Sequence, residues 1–589
     1  MRVTADNLST VLTRLQLAAY LSLDSETTGL EETDRPFAFI IADAEEEYYF
    51  DKRSIGLGPG QLERIREVFA PPGRTWFLQN AKFDMRMISH LGLTIYGKIF
   101  DLASMARLIR NDHLQYNLES QAARHGMRKG ADTIKSYIKE HGLYEDRRDF
   151  FGVVSKQPRY DRVPIDIMEP YATMDARITY DLGMIYLAQL QGTRSMEVME
   201  NESKLTKVCY DMERHGLCLN KTYTTMARYH ELQIVEEKKE QYKHLTGVGY
   251  VNSAKSVQKW MDPIRLPTTE AGNPSLTDDV IEAFLGSPSC PDHVRQGLKL
   301  IQEIRHYEKR INTYYDGYLN AIDSRGIVHP SMWQAGTKTG RFSYSNPNLQ
   351  NIPKEEDSVE PYVIRGCFTP RSQHFYLSID YAQQEYRMMI AYANEKEVIE
   401  QVMEGEDFHN VTAKLFGVPR KQAKTLNFAI LYGAGDEKLA AMLGLPVAEA
   451  KRLKLKYFMA LPRVEKLVDQ IQRTGRSRGY VTNWFGRNLY ADPNHVYALP
   501  NHLIQSGGAD VVKVAMVRIA EKHPGIPMVL QVHDQLVFEM RKDQVEAVPS
   551  IVKIMEEAFP PMNGMSLKVD VEWSDVSLAV RDMKKGFPT

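Results

Sequence analysis

The sequence predicts an α/β protein of several domains, and three observations carry that expectation. Its 589 residues exceed what one hydrophobic core serves and divide into roughly three to five compact units. Strand-like apolar runs that contain or end in acids occur in both halves of the chain, at Tyr20 to Gly29, which runs into a turn, and at His374 to Tyr381. Between them, from Glu200 to Asn320, long charged helical patterns dominate.

A formal net charge of -2 excludes a uniformly basic coat, but local cations such as Arg473, Arg476, Arg478 and Arg487 could still line a channel for an anionic polymer. Cys209, Cys218, Cys290 and Cys367 form no C-x-x-C pair, so neither a disulfide framework nor a zinc site is expected, and a reducing compartment fits best. No stretch reaches the roughly 18 apolar residues of a membrane helix, and no long apolar run follows Arg2. A cytoplasmic protein without membrane contact is expected.

In the first third, Tyr20-Leu21-Ser22-Leu23-Asp24-Ser25-Glu26 reads as a strand that projects Asp24 and Glu26 from one face. Thr75-Trp76-Phe77-Leu78 is a second strand, running into Asn80-Ala81-Lys82-Phe83-Asp84, and Tyr171 stands one helical turn from Asp175. Brought together, Asp24, Glu26, Asp84 and Asp175 would repel unless divalent cations neutralised them, which is what a two-metal phosphodiester hydrolase requires. Tyr171 could orient the attacking water. The ordered set D-x-E, N-x-K-x-D and Y-x-x-x-D is similar to the DnaQ-like proofreading exonucleases, with every position matched. That resemblance implies an RNase H-like mixed sheet flanked by helices and a working nuclease. Taken alone, this third also fits a free-standing RNA-processing or DNA-repair exonuclease.

Lys204 to His215, Tyr223 to Tyr242 and Val294 to Leu319 read as helices, the last two forming an extended antiparallel arm or a plain spacer. Between them, Asn252, Ser253 and Ser256 to Trp260 are polar enough to meet a sugar-phosphate backbone. The turn-rich stretches Gly336 to Ser343 and Asn346 to Pro353 follow. Glycines there admit a ligand close to the backbone, and Arg341 can reach phosphates or base edges.

His374 to Tyr381 is a strand ending at Asp380 with a helix beginning after it, and Met528 to Glu539 is a hairpin carrying Asp534 at its turn. On neighbouring strands these acids could hold two Mg²⁺ ions about 3.5–4 Å apart for in-line phosphoryl transfer. In sequence between them lies a helix, Arg420 to Gly433. Arg420, Lys424, Phe428 and Tyr432 share one stripe of it, while Ala423, Leu426, Ala429 and Ile430 lie on the other side. Cations at its start suit a triphosphate and rings at its end suit a base. The stripe alone also fits an ordinary amphipathic helix.

Asp380 to Arg387, Arg420 to Gly433 and Val532 to Gln535 resemble motifs A, B and C of family A DNA polymerases. Thr339-Gly340-Arg341, Asn348 to Pro353, Gly479-Tyr480-Val481 with Phe485-Gly486-Arg487, and Asn501 with Gln505 extend the likeness over essentially the whole chain. It implies an exonuclease (1-195), a thumb (196-325), a palm in two parts (326-390 and 501-589) and fingers between those parts (391-500). It further implies Mg²⁺ on Asp380 and Asp534, two ions at each active site, with Mn²⁺ as a substitute. Arg420, Lys424 and His409 would hold the triphosphate, and Phe428 and Tyr432 would meet the sugar and base. Glu385 would exclude ribonucleotides, Arg341 and Gln505 would test the minor groove, and Asn501, His533 and Gln535 would be further substrate contacts. Primer-template DNA and dNTPs are the implied partners of a monomer.

Two residues depart from the family pattern. Gln535 stands where Glu is usual after the hairpin aspartate, which predicts a modest loss of metal affinity. Ala429 replaces the usual Gly of the fingers helix and should stiffen it. No segment precedes the exonuclease for a 5′-nuclease, and the arm is too short for a large processivity-factor insertion. A phage replicative polymerase in a bacterial cytoplasm, alongside phage replisome proteins, is therefore expected over a bacterial fragment or a repair-type enzyme. A single-subunit RNA polymerase is opposed by Glu385 and the nuclease set. A catalytically silent primer-template binding protein should lack metal-binding acids, and none is missing.

Overall fold

The computed structural model describes residues 1–129, 133–355 and 360–588. The first sheet contains β1 (Tyr20–Thr27), β2 (Pro36–Ala42), β3 (Glu47–Asp51), β4 (Thr75–Leu78) and β5 (Lys98–Asp101), in the order β3-β2-β1-β4-β5. β1 pairs antiparallel with β2 and parallel with β4, so it is covered on both edges and its apolar residues are buried. Asp24 and Glu26 share one face of it, opposite Ile40 and Ala38. α1 (Ala81–Ser89) and α2 (Ile165–Leu190) pack on this sheet. α2 approaches β4 so closely at Gly183 that a Cβ there would lie 2.2 Å from the Phe77 ring.

α3 (Arg194–His215) begins well before the predicted Lys204 and does not belong with the arm. It is wedged between β5 and α1 on one side and the helix Leu499–Lys522 with the strand Met528–Val532 on the other. Buried Glu202 and Ser203 explain this placement, since both find their partners in other parts of the chain. Ser203 Oγ accepts from Ile99 N at 2.9 Å, and Glu202 pairs with Arg487 at 2.6 Å.

The arm is α4 (Lys221–Thr246) packed against α5 (Asp292–Lys309) and its continuation to Ala321. The pairs Arg228 with Asp316, Glu231 with Arg310 and Lys238 with Glu303 run in opposite sequence directions, which makes the helices antiparallel. Trp260 and Asn252, expected to face a nucleic-acid backbone, are instead used in the arm's own packing. The Trp260 indole donates to Tyr242 Oη and fills the space over Gly297, and Asn252 Oδ1 accepts from Arg305. An amphipathic indole gains more from burial there than from exposure.

The second sheet is antiparallel and centres on β6 (His374–Tyr381). β7 (Met528–Val532) and β8 (Gln535–Arg541) lie to one side, and β9 (Val569–Ser574) and β10 (Lys584–Lys585) to the other, in the order β7-β8-β6-β9-β10. α6 (Gln384–Ala393) follows β6. α7 (Phe408–Phe416) packs on α8 (Arg420–Leu431), and α9 (Leu499–Lys522) crosses the base, buried on nearly every side.

On α8 the buried residues include Ala423, Leu426, Ala429 and Ile430, while Arg420, Lys424, Phe428 and Tyr432 are exposed. Ala429 is 1 % exposed, so Ala429→Gly removes a buried methyl as well as helix propensity. We expect a loss of about 1–2 kcal/mol, read by chemical denaturation, together with faster fingers closure in a stopped-flow assay. Unchanged closing rates would make the substitution purely structural.

Two candidate active sites

The four acids of the first third converge from β1, α1 and α2. Asp84 is 2 % and Asp175 7 % exposed, and Asp84 Oδ1 accepts from Ser25 Oγ at 2.6 Å. Burial first, and then the charge of Asp175, push the Asp24 carboxyl up to about 7, with Lys129 opposing. Burial and the charge of Asp24 hold Glu26 and Asp84 well above the usual carboxylate range. A raised carboxylate pKa stabilises the fold below the unfolded value of 3.8 and withdraws that stability as pH climbs through 7. Chelator-treated protein should therefore melt at progressively lower temperature from about pH 5 to about pH 8, and Asp24→Asn should flatten the slope. A pH-independent melt would contradict this placement of charge.

The second site forms where β6 ends and β8 begins. Asp380 pairs in register with Gln535, and Asp534 occupies the two-residue turn, where His533 has φ 57° and the Asp534 carbonyl accepts from Tyr381 N. Burial and then Asp534 push the Asp380 carboxyl up to about 7, while Lys354 Nζ lies 3.6 Å from its Oδ2. Burial likewise raises Asp534. Glu385, in the first turn of α6, is ion-paired with Arg341, and both act on Asp534.

α8 is tied to the segment after β6 through Asp407, which accepts from Arg420 of α8 and from Gln383. The rings of Phe428 and Tyr432 stack at 4.4 Å and 16°, and Gln505 of α9 donates to Tyr432 Oη at 3.1 Å. α8 stops where Gly433 takes φ 65°, close under the Tyr497 carbonyl. Arg420 pairs with Asp407 at 3.0 Å, and Lys424 is exposed. His409 does not share the stripe. It is 4 % exposed, with Nδ1 3.0 Å from Asn427 Nδ2, because α7 packs that face against α8. Asn501 is buried in α9, and its Nδ2 has no hydrogen-bond partner among the described residues.

Gln535 differs from expectation. It is 7 % exposed and donates to Ser378 Oγ at 2.6 Å, rather than facing a water or a primer end. A cross-strand hydroxyl two residues back takes the amide N–H in place of solvent, while the buried Gln535 Oε1 finds no hydrogen-bond partner among the described residues. Restoring the acid by Gln535→Glu puts a third carboxylate beside Asp380 and Asp534. We expect the Mg²⁺ concentration for half-maximal extension to fall about 3- to 10-fold, measured by titration. An unchanged titration would remove the idea.

Sequence reasoning missed Lys129, Ser25, Lys354 and Asp407. None belongs to a local pattern; each is defined by a partner distant in the chain. Both acid sets fit divalent cations, being made of hard carboxylate oxygens, and buried Asp380 Oδ1 has no hydrogen-bond partner among the described residues. Among the described residues no three His, Cys, Asp or Glu side chains are already drawn into a cage, as expected of carboxylates that repel one another.

A carboxylate set on the central strand of one sheet and its helices, and a carboxylate pair where a strand of the other sheet ends, make two separate candidate sites on one chain. The model of DNA polymerase family A matches residues 221–577, and that of a 3′-5′ exonuclease matches residues 2–191. The chain belongs to DNA polymerase family A and carries a 3′-5′ exonuclease domain. It is 28 % identical to DNA polymerase I of Chloroflexus aurantiacus over 97 % of its own length, but spans only 63 % of that relative. With DNA polymerase DpoZ of Salmonella phage PMBT28 it shares 26 % identity over 90 % of this chain and 92 % of the relative. The POL domain of Pol1 from M. smegmatis, solved in complex with DNA primer-template and dNTP, superposes with a TM-score of 0.82. That match covers 98 % of this chain and 99 % of the other at 21 % identity, which establishes the shared fold.

Proposed function

We propose that the chain copies DNA from dNTPs on a primer-template and proofreads its product by 3′-5′ hydrolysis. The observation that carries this is the meeting of Asp380, Asp534 and the Glu385–Arg341 pair, with α8 tied through Asp407 to Gln383 in the segment that follows Asp380. Asp380 and Asp534 would hold Mg²⁺ at the synthetic site, and Asp24, Glu26, Asp84 and Asp175 would hold it at the nuclease, two ions each, with Mn²⁺ able to substitute. Such ions activate the attacking oxygen and neutralise charge on the leaving one.

The side chains supply the rest. Lys424 and Arg420 set positive charge where the triphosphate lies, and Asp407 orients the Arg420 guanidinium. The stacked faces of Phe428 and Tyr432 receive the base and sugar. Glu385, fixed by Arg341, leaves no room for a 2′-hydroxyl. Gln505, Asn501 and Arg341 offer donors to the acceptors that correct pairs present in the minor groove, with His533 at the primer end. Tyr171 orients the hydrolytic water.

The likeness to a phage polymerase over most of its length supports replication of a phage genome by a monomer in the host cytoplasm, beside phage replisome proteins. Among the described residues no helix is long and apolar enough to cross a membrane. The test is extension of a primer with a mismatched 3′ end, supplied with dNTPs or NTPs. Removal of the mismatch followed by dNTP-dependent synthesis is expected; NTP-dependent synthesis, or none, would overturn the reading.

A further inference from the structure

Lys129 lies outside every motif of the chain, yet it is the cation at the nuclease acids. Its Nζ is 2.6 Å from Asp175 Oδ2 and 4.9 Å from the centre of the Tyr171 ring. Its charge also offsets those of Asp24 and Glu26. The ammonium thus stands among three carboxylates that α2 and β1 hold in place, with its own side chain about one quarter exposed. The acids are anchored on a strand and a long helix, whereas Lys129 follows the short helix Leu118–Arg124 on a connecting segment. Of the charged groups here, the lysine is the one that can move without unpacking the sheet.

We propose that Lys129 is a displaceable internal cation that competes with divalent ions for the nuclease carboxylates. This rests on reading those carboxylates as the metal site. With no divalent ion bound, Lys129 balances Asp24, Glu26 and Asp175. Loading the site means moving a positive charge away from Asp175, because two cations on one carboxylate repel across a poorly screened distance. A DNA strand changes that balance, since its backbone phosphates give the ammonium a new anion within reach. Metal and DNA therefore load together, and the nuclease stays poorly loaded when no 3′ end is present. Lys129 acts through the carboxylates and is a positioning residue.

The test measures binding rather than turnover. In full-length protein carrying Asp380→Ala and Asp534→Ala, Mn²⁺ affinity is measured by electron paramagnetic resonance, with and without a phosphorothioate oligothymidylate. Lys129→Met should bind Mn²⁺ at least tenfold more tightly without DNA, whereas Lys129→Arg should match the parent. The oligonucleotide should tighten Mn²⁺ binding in the parent and change it little in Lys129→Met. Lys129→Gln, similar in length but uncharged, repeats the measurement if the methionine variant does not fold. Unchanged or weaker Mn²⁺ binding in the uncharged variants, or DNA tightening that survives them, would overturn the proposal. Adding Asp24→Ala separates the two ideas, because Mn²⁺ binding that persists there would refute the metal-site reading instead.

Discussion

Replacing Asp380 by alanine is expected to lower primer extension by at least about 10³-fold while leaving hydrolysis of single-stranded DNA within about twofold of the parent. The first figure follows from the several kcal/mol that a correctly held metal pair contributes to a phosphoryl-transfer transition state, at 1.36 kcal/mol for each factor of ten. The second follows from topology. Asp380 ends a strand in the palm sheet, whereas Asp24, Glu26, Asp84 and Asp175 are built on the first sheet and its helices. Asp24→Ala should give the converse, with hydrolysis lost and extension kept. Gel assays on both variants decide the matter, and extension by Asp380→Ala within tenfold of the parent would sink the assignment. The variant also removes a buried oxygen that has no hydrogen-bond partner among the described residues, so it should be no less stable in chelator than the parent.

The acids that this experiment separates were legible in the sequence because each sits at a position set by local period. Asp24 and Glu26 are two apart on a strand, Asp380 ends one, and Asp534 sits between two apolar runs. The stripe of α8 was legible for the same reason, its exposed and buried residues following the helical repeat. What local pattern does not encode is which partner a side chain meets across the chain. Gln535 could not be seen turning to Ser378, nor His409 to Asn427, because both contacts depend on how neighbouring strands and helices pack. Lys129 was invisible for a further reason: a lone lysine in a polar run carries no signal until Asp175 is brought beside it. α3 misled in the opposite sense. Its pattern reads as charged and exposed, but Glu202 and Ser203 are buried against partners from other domains.

Those partners make the second large prediction, on stability. Arg487 is 3 % exposed and joins Glu202 of α3 at 2.6 Å to Asp510 of α9 at 2.7 Å, with Lys513 on Glu202 and Asn483 on Asp510. Burial opposes ionisation of Asp510, yet the Arg487 guanidinium holds its carboxyl below the usual range. Burial lowers Lys513, and Glu202 opposes that shift. The four charges cancel only as a set. Arg487→Met leaves two buried carboxylates facing one lysine, and losing one member of such a set costs about 3–5 kcal/mol. α3 spans from the exonuclease sheet to the palm, so both activities should fail together as temperature rises and recover together on cooling. A compensating Arg487→Met/Asp510→Leu pair removes one charge of each sign and should cost less than the sum of the single changes, which is the signature of coupled rather than independent sites. Urea denaturation followed by tryptophan fluorescence gives each free energy. A loss under about 1 kcal/mol for Arg487→Met would mean that the residual charges find water, and that α3 is held by its apolar face alone.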